Sequence, residues 1–397
     1  MLYPRVVLKS GHEKPVRRHH PWIFSGAIAR IDNATEDGDI VDVFSNEGEW
    51  LARGYLNRRS QIVVRLLTWD REEAIDEAFW LRRIERALAA RASLHLEHVT
   101  TAYRLIYAES DWLPGLIVDR YGDFLVIQSL TLGIERRKEL LVRLLAEYCR
   151  PIGIYERSDL DVREKEGIPP VTGTLWGEEP PERLLIEEHG HRFRVDIRHG
   201  QKTGFYLDQR ENRRRAAAYL EHARVLNAFA YTGAFAIYAL AAGAEHVVNL
   251  DTSAEALAEA AAHLSLNGIP ANRAEQVEGD AFRTLRQFRA AGRRFDAVIL
   301  DPPKFAYSQA HLERAARGYK DINLQALHLI EPGGILITFS CSGLVSLDLF
   351  RKIVFAAAED AGREVQILER LGHPPDHPIR LSFPEGEYLK GLICRVW

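Results

Sequence analysis

The chain contains 397 residues, and this length predicts two or three domains. Hydrophobic residues make up 46% of the sequence and charged residues 27%, a composition that excludes wholesale disorder. The formal net charge of −4 excludes a protein that is basic over its whole surface, such as a nucleic-acid coat, but it is compatible with a local basic patch.

The sequence also argues against a membrane protein and against a disulfide-rich protein. No stretch approaches the roughly 18 to 20 apolar residues of a membrane helix, and residues 1–10 lack the apolar core of a signal peptide. The three cysteines, Cys149, Cys341 and Cys394, are unevenly spaced, which argues against a disulfide framework or a zinc site. We therefore expect a cytoplasmic protein without a membrane partner or a bound metal.

Residues 1–72 predict a small β-barrel, because short alternating strands are separated by glycines. The first thirty residues contain six Lys and Arg but one acidic residue, and two aromatic residues, Trp22 and Phe24, follow the basic run. Arginines beside aromatic rings suit phosphate contact and base stacking. A solvated loop is the alternative. The residues predicted to contact nucleic acid are Lys14, Arg17, Arg18 and Trp22.

Residues 73–189 predict a linker helix followed by a small α+β domain. The helix is expected at residues 73–97, which contain no glycine or proline. A strand is expected from Phe124 to Leu130 and a helix from Glu135 to Cys149. Proline and glycine pairs mark the edges of these elements.

Residues 190–397 predict a doubly wound α/β domain, because short apolar strands alternate with helical runs. Strands are expected at Val225 to Phe229, His246 to Leu250, Phe295 to Leu300 and Ile335 to Phe339, and helices at Ala254 to Asn267, Leu312 to Ile330 and Leu347 to Ala361. Ligands of such sheets bind beyond the carboxyl ends of the strands. Functional residues are therefore expected at strand ends.

The residues that follow the first strand of this domain predict a binding site for a nucleoside. A single glycine, Gly233, follows the strand, and the GxGxxG pattern of dinucleotide-binding proteins is absent. Asp251 lies 18 residues further on, at the end of the next strand, where a carboxylate can accept both ribose hydroxyls. Asp280 follows a third strand and could accept from an adenine amine. A helix cap at Asp251 and a turn at Asp280 are the structural alternatives.

Two further strand ends carry groups capable of chemistry. Asp301-Pro302-Pro303-Lys304 follows the fourth strand, and the two prolines hold the backbone extended. Cys341 follows the fifth strand between two serines, a position that is unusual for a cysteine that merely fills the core. If these strands are neighbours, Asp301, Lys304 and Cys341 converge at one edge of the sheet.

A basic helix start precedes this domain's first strand. Asp208 and Glu211 have the spacing of a capping box, and four arginines follow within the first turns. These arginines are either solvated or in contact with RNA phosphates. The ones predicted to bind RNA are Arg210, Arg213 and Arg214.

Taken together, these motifs resemble the ribosomal large subunit methyltransferase I family, which uses S-adenosylmethionine to methylate carbon 5 of a cytosine in 23S ribosomal RNA. The resemblance covers nearly the whole chain. It implies a PUA RNA-binding domain at the N-terminus, an EEHEE-like central domain and a Rossmann-like methyltransferase domain. It also implies cofactor contacts at Asn227, Phe229, Tyr231, Thr232, Gly233, Asp251, Thr252, Asp280, Ala281, Asp301, Tyr206 and Gln209.

The expected chemistry is covalent. Carbon 5 of cytosine is a poor nucleophile, so a thiolate at Cys341 would first add to carbon 6. Asp301 in its protonated form would stabilise the adduct at nitrogen 3, and Lys304 would favour the thiolate. Many RNA cytosine methyltransferases have a second cysteine where this chain has Lys304. The base that removes the carbon 5 proton is not identified by the sequence.

Three alternatives remain at this stage. The same fold could methylate a guanine or adenine nitrogen without a covalent intermediate, or the chain could be a non-catalytic RNA-binding factor for ribosome assembly. A dinucleotide oxidoreductase is disfavoured by the missing glycines. The expected partner is 23S ribosomal RNA or a large-subunit precursor, and a homodimer is compatible with the sequence.

Overall fold

The computed structural model describes residues 3–32, 35–306 and 308–397, and it divides the chain into two compact units. The first unit comprises Met1–Ile186, Val195–Leu207 and Pro375–Gly386. The second comprises Glu187–Arg194, Asp208–Pro374 and Glu387–Trp397. The first two predicted domains thus lie in one unit. None of the described helices is both long and apolar enough to cross a membrane.

The N-terminal part of the first unit is a six-stranded mixed sheet in the order β2-β6-β5-β4-β1-β3. Its valines and leucines alternate inward along the strands and form a separate core. The strand at Ile28–Ile31 was not predicted from the sequence, since its residues show no clear alternation. The elements are β1 (Arg5–Leu8), α1 (Lys14–Arg17), β2 (Trp22–Phe24), β3 (Ile28–Ile31), β4 (Ile40–Phe44), β5 (Trp50–Leu56) and β6 (Ile62–Thr68).

The central part of the first unit is a five-stranded sheet in the order β11-β10-β9-β8-β7, packed against helices. Its first helix begins later than predicted, because the Asp76 side chain accepts from the Phe79 amide at 2.9 Å and caps it there. The elements are α2 (Glu77–Ala92), β7 (Ala102–Tyr107), β8 (Leu116–Tyr121), β9 (Phe124–Ser129), α3 (Leu132–Glu135), α4 (Lys138–Cys149), β10 (Gly153–Ser158), α5 (Val162–Glu166) and β11 (Val171–Gly177). A two-stranded sheet follows, β12 (Leu184–Glu188) with β13 (His191–Val195).

The second unit contains the predicted doubly wound sheet, with seven strands in the order β16-β15-β14-β17-β18-β20-β19. The strands β14 to β18 are parallel, and β20 runs antiparallel to both of its neighbours. The elements are α6 (Arg210–Ala217), β14 (Arg224–Ala228), α7 (Ala234–Ala241), β15 (His246–Asp251), α8 (Ala254–Leu266), β16 (Ala274–Glu278), α9 (Ala281–Ala290), β17 (Phe295–Leu300), α10 (Leu312–Leu329), β18 (Ile330–Ser340), α11 (Leu347–Ala361), β19 (Val365–Leu371) and β20 (Lys390–Val396).

The register of this sheet brings the strand ends together. Ala228, the last residue of β14, lies opposite Leu250 on one side and Leu300 on the other. The strand order reverses beside β14, and in such sheets the ligand crevice opens at that switch. The predicted site residues therefore follow strands that end at one edge of the sheet.

The structure of helix α6 differs from two predictions. Its N-cap, Gln209, makes no side-chain capping bond, so the capping box predicted from Asp208 and Glu211 is wrong. Arg210 and Arg213, predicted to contact RNA phosphates, are 0% and 2% exposed. The Arg213 guanidinium donates twice, at 2.8 Å, to the buried Glu188 carboxylate, so it forms an internal ion pair rather than a surface contact.

We expect Arg213→Ala to lower the free energy of unfolding by about 3–5 kcal/mol, because the substitution leaves the carboxylate of Glu188 buried without its cation. The matched control is Arg214→Ala, which removes an exposed arginine from the same helix and should change stability by less than about 0.5 kcal/mol. Urea unfolding followed by circular dichroism measures both. Equal stability of the two variants would contradict a structural role for the buried pair.

Candidate active site

The loop after β14 has an unusual backbone. Phe229, Tyr231 and Gly233 all lie in the left-handed region, with φ of +61°, +48° and +73°. Such conformations cost free energy for residues with a side chain and cluster at ligand-binding sites. The Tyr231 amide donates to the Asp251 carboxylate at 2.8 Å, which ties this loop to the end of β15.

Gly233 is required by space as well as by backbone. A Cβ atom built there would lie 2.7 Å from the Cβ of Ala260 on α8, closer than two such atoms pack. Beside it, the Thr232 hydroxyl is buried and has no hydrogen-bond partner among the described residues. A tight glycine turn next to an unsatisfied hydroxyl fits a loop that closes over a bound nucleoside.

Asp251 has the geometry expected of a ribose acceptor. One carboxylate oxygen accepts from Tyr231 and the other from the Ser253 amide at 3.0 Å, which fixes the orientation of the group. Ser253, and not Asp251, caps α8 by accepting from the Ala256 amide at 3.1 Å. Each carboxylate oxygen retains a lone pair for a ribose hydroxyl. Thr252 beside it is exposed.

Asp280 and Asn227 have structural contacts of their own. Asp280 is the N-cap of α9, since one of its oxygens accepts from the Arg283 amide at 2.9 Å, and its second oxygen is available for an adenine amine. The next residue, Ala281, is buried. Asn227 is 1% exposed and its side-chain amide donates to Asn249 at 2.9 Å, so the side chain bridges two strands. Its cofactor contact stays a prediction.

Asp301 is oriented by a chain of amides. The Gln209 side chain donates to the Asp301 carboxylate at 3.0 Å, and the Asn212 side chain donates to Gln209 at 2.6 Å. Gln209 and Asn212 are both buried, so this arrangement is shielded from water. The sequence placed Gln209 beside the cofactor, and the structure joins it to the aspartate that follows β17.

Cys341 lies at the same edge of the sheet as Asp301, because β17 and β18 are neighbours, which is the condition that the sequence analysis set for their convergence. The thiol is half-buried, and its sulfur lies 3.8 Å from the Pro302 carbonyl oxygen, which accepts from it. Burial raises the pKa of the other two thiols, Cys149 to about 11 and Cys394 to about 12. They are thus poor sources of thiolate. Lys304 is exposed.

Lys390 is a residue that the sequence analysis missed. It begins β20 opposite Ser340, is 5% exposed, and donates to the Ser342 and Val345 carbonyls at 2.8 and 2.7 Å. Burial lowers its pKa to about 8, against the opposing effects of Glu387 and Cys341. The lysine thus holds the loop that carries Cys341. No local signal marks it, because its contacts lie some 45 residues away along the chain.

The predicted RNA-contacting residues of the first unit are at the surface. Lys14, Arg17 and Arg18 are exposed on or beside α1, and Arg17 forms an ion pair with Glu49. In the second unit, Arg214 is exposed and bonds to Glu211 at 3.1 Å. These positions are compatible with phosphate contact.

Two residues with a predicted ligand contact, Trp22 and Tyr206, lie in the first unit and have neighbours that the sequence did not predict. Trp22 is half-buried, its indole N–H donates to Glu109 at 2.9 Å, and its ring packs edge-on against Phe383 at 4.7 Å. Tyr206 belongs to this unit, where its hydroxyl donates to Gln201 and Lys202 lies 4.6 Å from its ring. Its cofactor contact stays a prediction. Across the described parts of the chain, no group of three or more His, Cys, Asp or Glu side chains could hold a metal ion.

Comparison with known families identifies the class of protein to which this chain belongs. A family model described as S-adenosylmethionine-dependent methyltransferase matches residues 163–393, and one described as a PUA-like domain matches residues 6–69. The solved structure of a methyltransferase from Streptococcus mutans superimposes with a TM-score of 0.86 at 24% identity, covering 100% of both chains. Another solved methyltransferase structure, with the same TM-score, is complexed with SAH. The fold and site are those of a class I S-adenosylmethionine-dependent methyltransferase with an N-terminal PUA-like domain.

Curated relatives identify the family within this class of methyltransferases. The ribosomal RNA large subunit methyltransferase I of Shewanella amazonensis is 51% identical over 393 residues, covering 99% of both chains. That of Aliivibrio fischeri is 51% identical over 391 residues, covering 98% of this chain and 99% of the relative. The chain belongs to the ribosomal RNA large subunit methyltransferase I family.

We expect Gly233→Ala to weaken S-adenosylmethionine binding by about tenfold or more, because the added methyl group collides with Ala260 and shifts the loop. Isothermal titration calorimetry measures the dissociation constant. Gly268→Ala is the matched control, since Gly268 has a φ of +67° but open space around a built Cβ. Gly268→Ala places a side chain in the same left-handed backbone conformation as Gly233→Ala does, but outside the loop after β14. Equal loss of affinity in both variants would contradict a specific role for Gly233.

Lys390 predicts a pH-dependent stability. Its folded pKa of about 8 lies below that of a lysine in the unfolded chain, so the unfolded chain binds more protons between pH 8 and about 10.5. The unfolding free energy of the wild type should therefore rise, relative to that of Lys390→Met, as pH increases across this window. Urea unfolding at pH 7, 8, 9 and 10 measures the difference. Lys352→Met, which removes an exposed lysine, is the control, and parallel curves for wild type and Lys390→Met would contradict the buried position.

Proposed function

We propose that this methyltransferase transfers a methyl group to carbon 5 of a cytosine in large-subunit ribosomal RNA through a covalent adduct with Cys341. The observation that carries the proposal is the meeting of Cys341 with the Asp301-Pro302 segment at one edge of the sheet, where the sulfur lies 3.8 Å from the Pro302 carbonyl. The names of the curated relatives supply the class of RNA, and the PUA-like domain supplies a module for binding it.

The reason for a cysteine lies in the chemistry of cytosine. Carbon 5 is a weak nucleophile until a thiolate adds to carbon 6, which shifts the electrons of the carbon 5–carbon 6 double bond toward carbon 5 and nitrogen 3. A protonated Asp301 would donate a hydrogen bond or a proton to nitrogen 3 as it gains basicity. Gln209 donates to the same carboxylate and so fixes its orientation.

When bound, S-adenosylmethionine supplies an electrophilic methyl group to this site. The residues that would hold it are those of the loop after β14 and the carboxylates that follow β15 and β16. Asp251 is oriented by two backbone amides for the ribose, and Asp280 keeps one oxygen for the adenine amine. Gly233 lets the loop pack closely against Ala260 of α8, where a side chain would collide.

Release of the product requires a base. After methylation, the carbon 5 proton must leave, its bond electrons re-form the carbon 5–carbon 6 double bond, and Cys341 departs as the thiolate. The position of the second cysteine of related enzymes is held by Lys304, so a different group takes the proton.

Methylation of a purine nitrogen is the weaker alternative. Enzymes of that kind use an aromatic ring after the proline pair to stack the base. Here the ring of Phe305 packs on Tyr319 at 4.6 Å and on Phe282 at 5.8 Å, against the core of the second unit. The ring of Phe305 is thus half-buried and packed on two aromatic neighbours, an arrangement that disfavours its use to stack a target base. A purely structural assembly factor would not need the strained loop at Gly233 or the oriented Asp301.

Two finer expectations accompany the proposal. The substrate is 23S ribosomal RNA or a large-subunit precursor, on which the exposed Lys14, Arg17, Arg18 and Arg214 would contact phosphates. The cytoplasmic location and the homodimer stay predictions from the sequence.

We expect Cys341→Ala to lower methyl transfer to unmodified 23S ribosomal RNA by about 1000-fold or more, while leaving S-adenosylmethionine affinity unchanged. Transfer of a tritiated methyl group measures the rate. With RNA containing 5-fluorocytidine, the wild type should form a covalent protein–RNA adduct that survives a denaturing gel, since fluorine cannot leave carbon 5 as the proton does.

The control is Cys149→Ala, which removes a cysteine of the first unit and should retain both transfer and adduct formation. Full transfer by Cys341→Ala would overturn the covalent route and favour methylation of a purine nitrogen. An adduct that forms with Cys341→Ala would assign the nucleophile to another residue.

A further inference from the structure

A cavity in the first unit is not used by the proposed reaction. It has a volume of about 280 Å³ and is lined by α2, by residues 110–112 and by the segment 375–380. Its lining includes three arginines, one carboxylate and one hydroxyl: Arg86, Arg91, Arg380, Asp111 and Ser110. Every lining residue belongs to the first unit, so the cavity is formed without the methyltransferase sheet.

Two residues that line this cavity carry a buried donor without a partner among the described residues. Arg380 is 8% exposed; one guanidinium nitrogen donates to the His19 carbonyl at 2.9 Å, while Nη1 is buried and makes no hydrogen bond to any described residue. The Ser110 hydroxyl is also buried without a partner in the described part of the chain, and Ser110 is 5% exposed. Buried polar groups in proteins are almost always satisfied, so two such donors on residues that line one cavity favour the binding of an acceptor there.

The cavity also has an excess of positive charge. The guanidinium carbons of Arg86 and Arg380 lie 3.8 and 4.9 Å from the centre of the Trp112 ring, so both cations meet at one aromatic side chain. The one carboxylate in the lining, Asp111, is neutralised by Arg91, which donates to both of its oxygens at 2.7 Å.

Two further observations favour the binding of an anion in this cavity. Among the described residues, Arg86 forms no ion pair with a carboxylate. Burial, together with the neighbouring Arg83 and Arg86, lowers the pKa of Arg380 to about 10. The guanidinium therefore remains charged at neutral pH, but its charged form is destabilised by its surroundings. An anion in the cavity would offset this destabilisation.

We propose that this cavity binds a phosphodiester group of the RNA substrate, with Arg380, Arg86 and Ser110 as the donors to its oxygens. The proposal rests on the proposed function for the presence of RNA. Arginine forks and hydroxyls are common partners of phosphate oxygens. Ile379 in the lining and Leu381, two residues further on, are 37% and 99% exposed, and apolar side chains at this position suit a nucleotide better than a free phosphate ion.

The experiment measures RNA binding without methyl transfer. Filter binding with unmodified 23S ribosomal RNA, over a series of KCl concentrations, gives the dissociation constant and its salt dependence. Arg86→Glu and Arg380→Gln should each weaken binding by about tenfold and reduce the slope of log affinity against log salt by about 0.7–0.9, the value for one lost phosphate contact. Arg86 is exposed, so Arg86→Glu keeps the test valid if Arg380→Gln folds poorly.

The matched control is Arg82→Glu, an identical charge change one turn earlier on α2 at a residue that does not line the cavity. It should weaken RNA binding by less than about threefold, the effect of net charge alone. Wild-type affinity and salt slope in Arg86→Glu, or an equal loss in Arg82→Glu, would overturn the proposal.

The source of the phosphate is tested by adding inorganic phosphate alone. If inorganic phosphate raises the melting temperature of the wild type but not of Arg380→Gln, while both variants bind RNA normally, the cavity is a free-phosphate site and the RNA proposal is wrong. S-adenosylmethionine affinity is measured in each variant and should be unchanged. Because no step of the assay requires cytosine chemistry, failure of the Cys341 mechanism would leave this result intact, and the reverse also holds.

Discussion

The register of the parallel strands β14 to β18 is the constraint on which the active site depends. Ala228 lies opposite Leu250 and Leu300, and Leu300 lies opposite Thr338, so these strands end within a residue or two of one another. A slip of one residue would turn each side chain to the other face of the sheet. Buried apolar residues along each strand hold the register. Groups that lie on several separate loops are thus brought together by the packing of the core beneath them.

The loop after β14 shows how such a core supports a strained element. Left-handed backbone at Phe229 and Tyr231 costs stability, and the loop persists because Asp251 accepts from the Tyr231 amide and Gly233 packs against α8. The same carboxylate is the proposed ribose acceptor. Orientation of the ligand and restraint of the loop therefore depend on one residue, and a change at Asp251 would affect both.

The sequence predicted the site wherever the signal was local. Glycine after a strand, an aspartate at the next strand end and a cysteine flanked by serines all lie at the edge where the pattern placed them. Predictions were wrong where the deciding partner was distant. Arg213 looked like a surface arginine because Glu188, which buries it, lies 25 residues earlier, and Lys390 carried no signal because its partners lie more than 40 residues away. Likewise, nothing in the segment 375–386 predicts its inclusion in the first unit.

The setting of Cys341 combines groups that favour opposite protonation states. Its thiol donates to the Pro302 carbonyl, which stabilises the protonated form in the resting enzyme. Cys341 in turn raises the pKa of Lys390, and because such an interaction is mutual, a charged Lys390 favours the thiolate. In the proposed mechanism, a charged Lys390 would therefore help Cys341 to react as the thiolate.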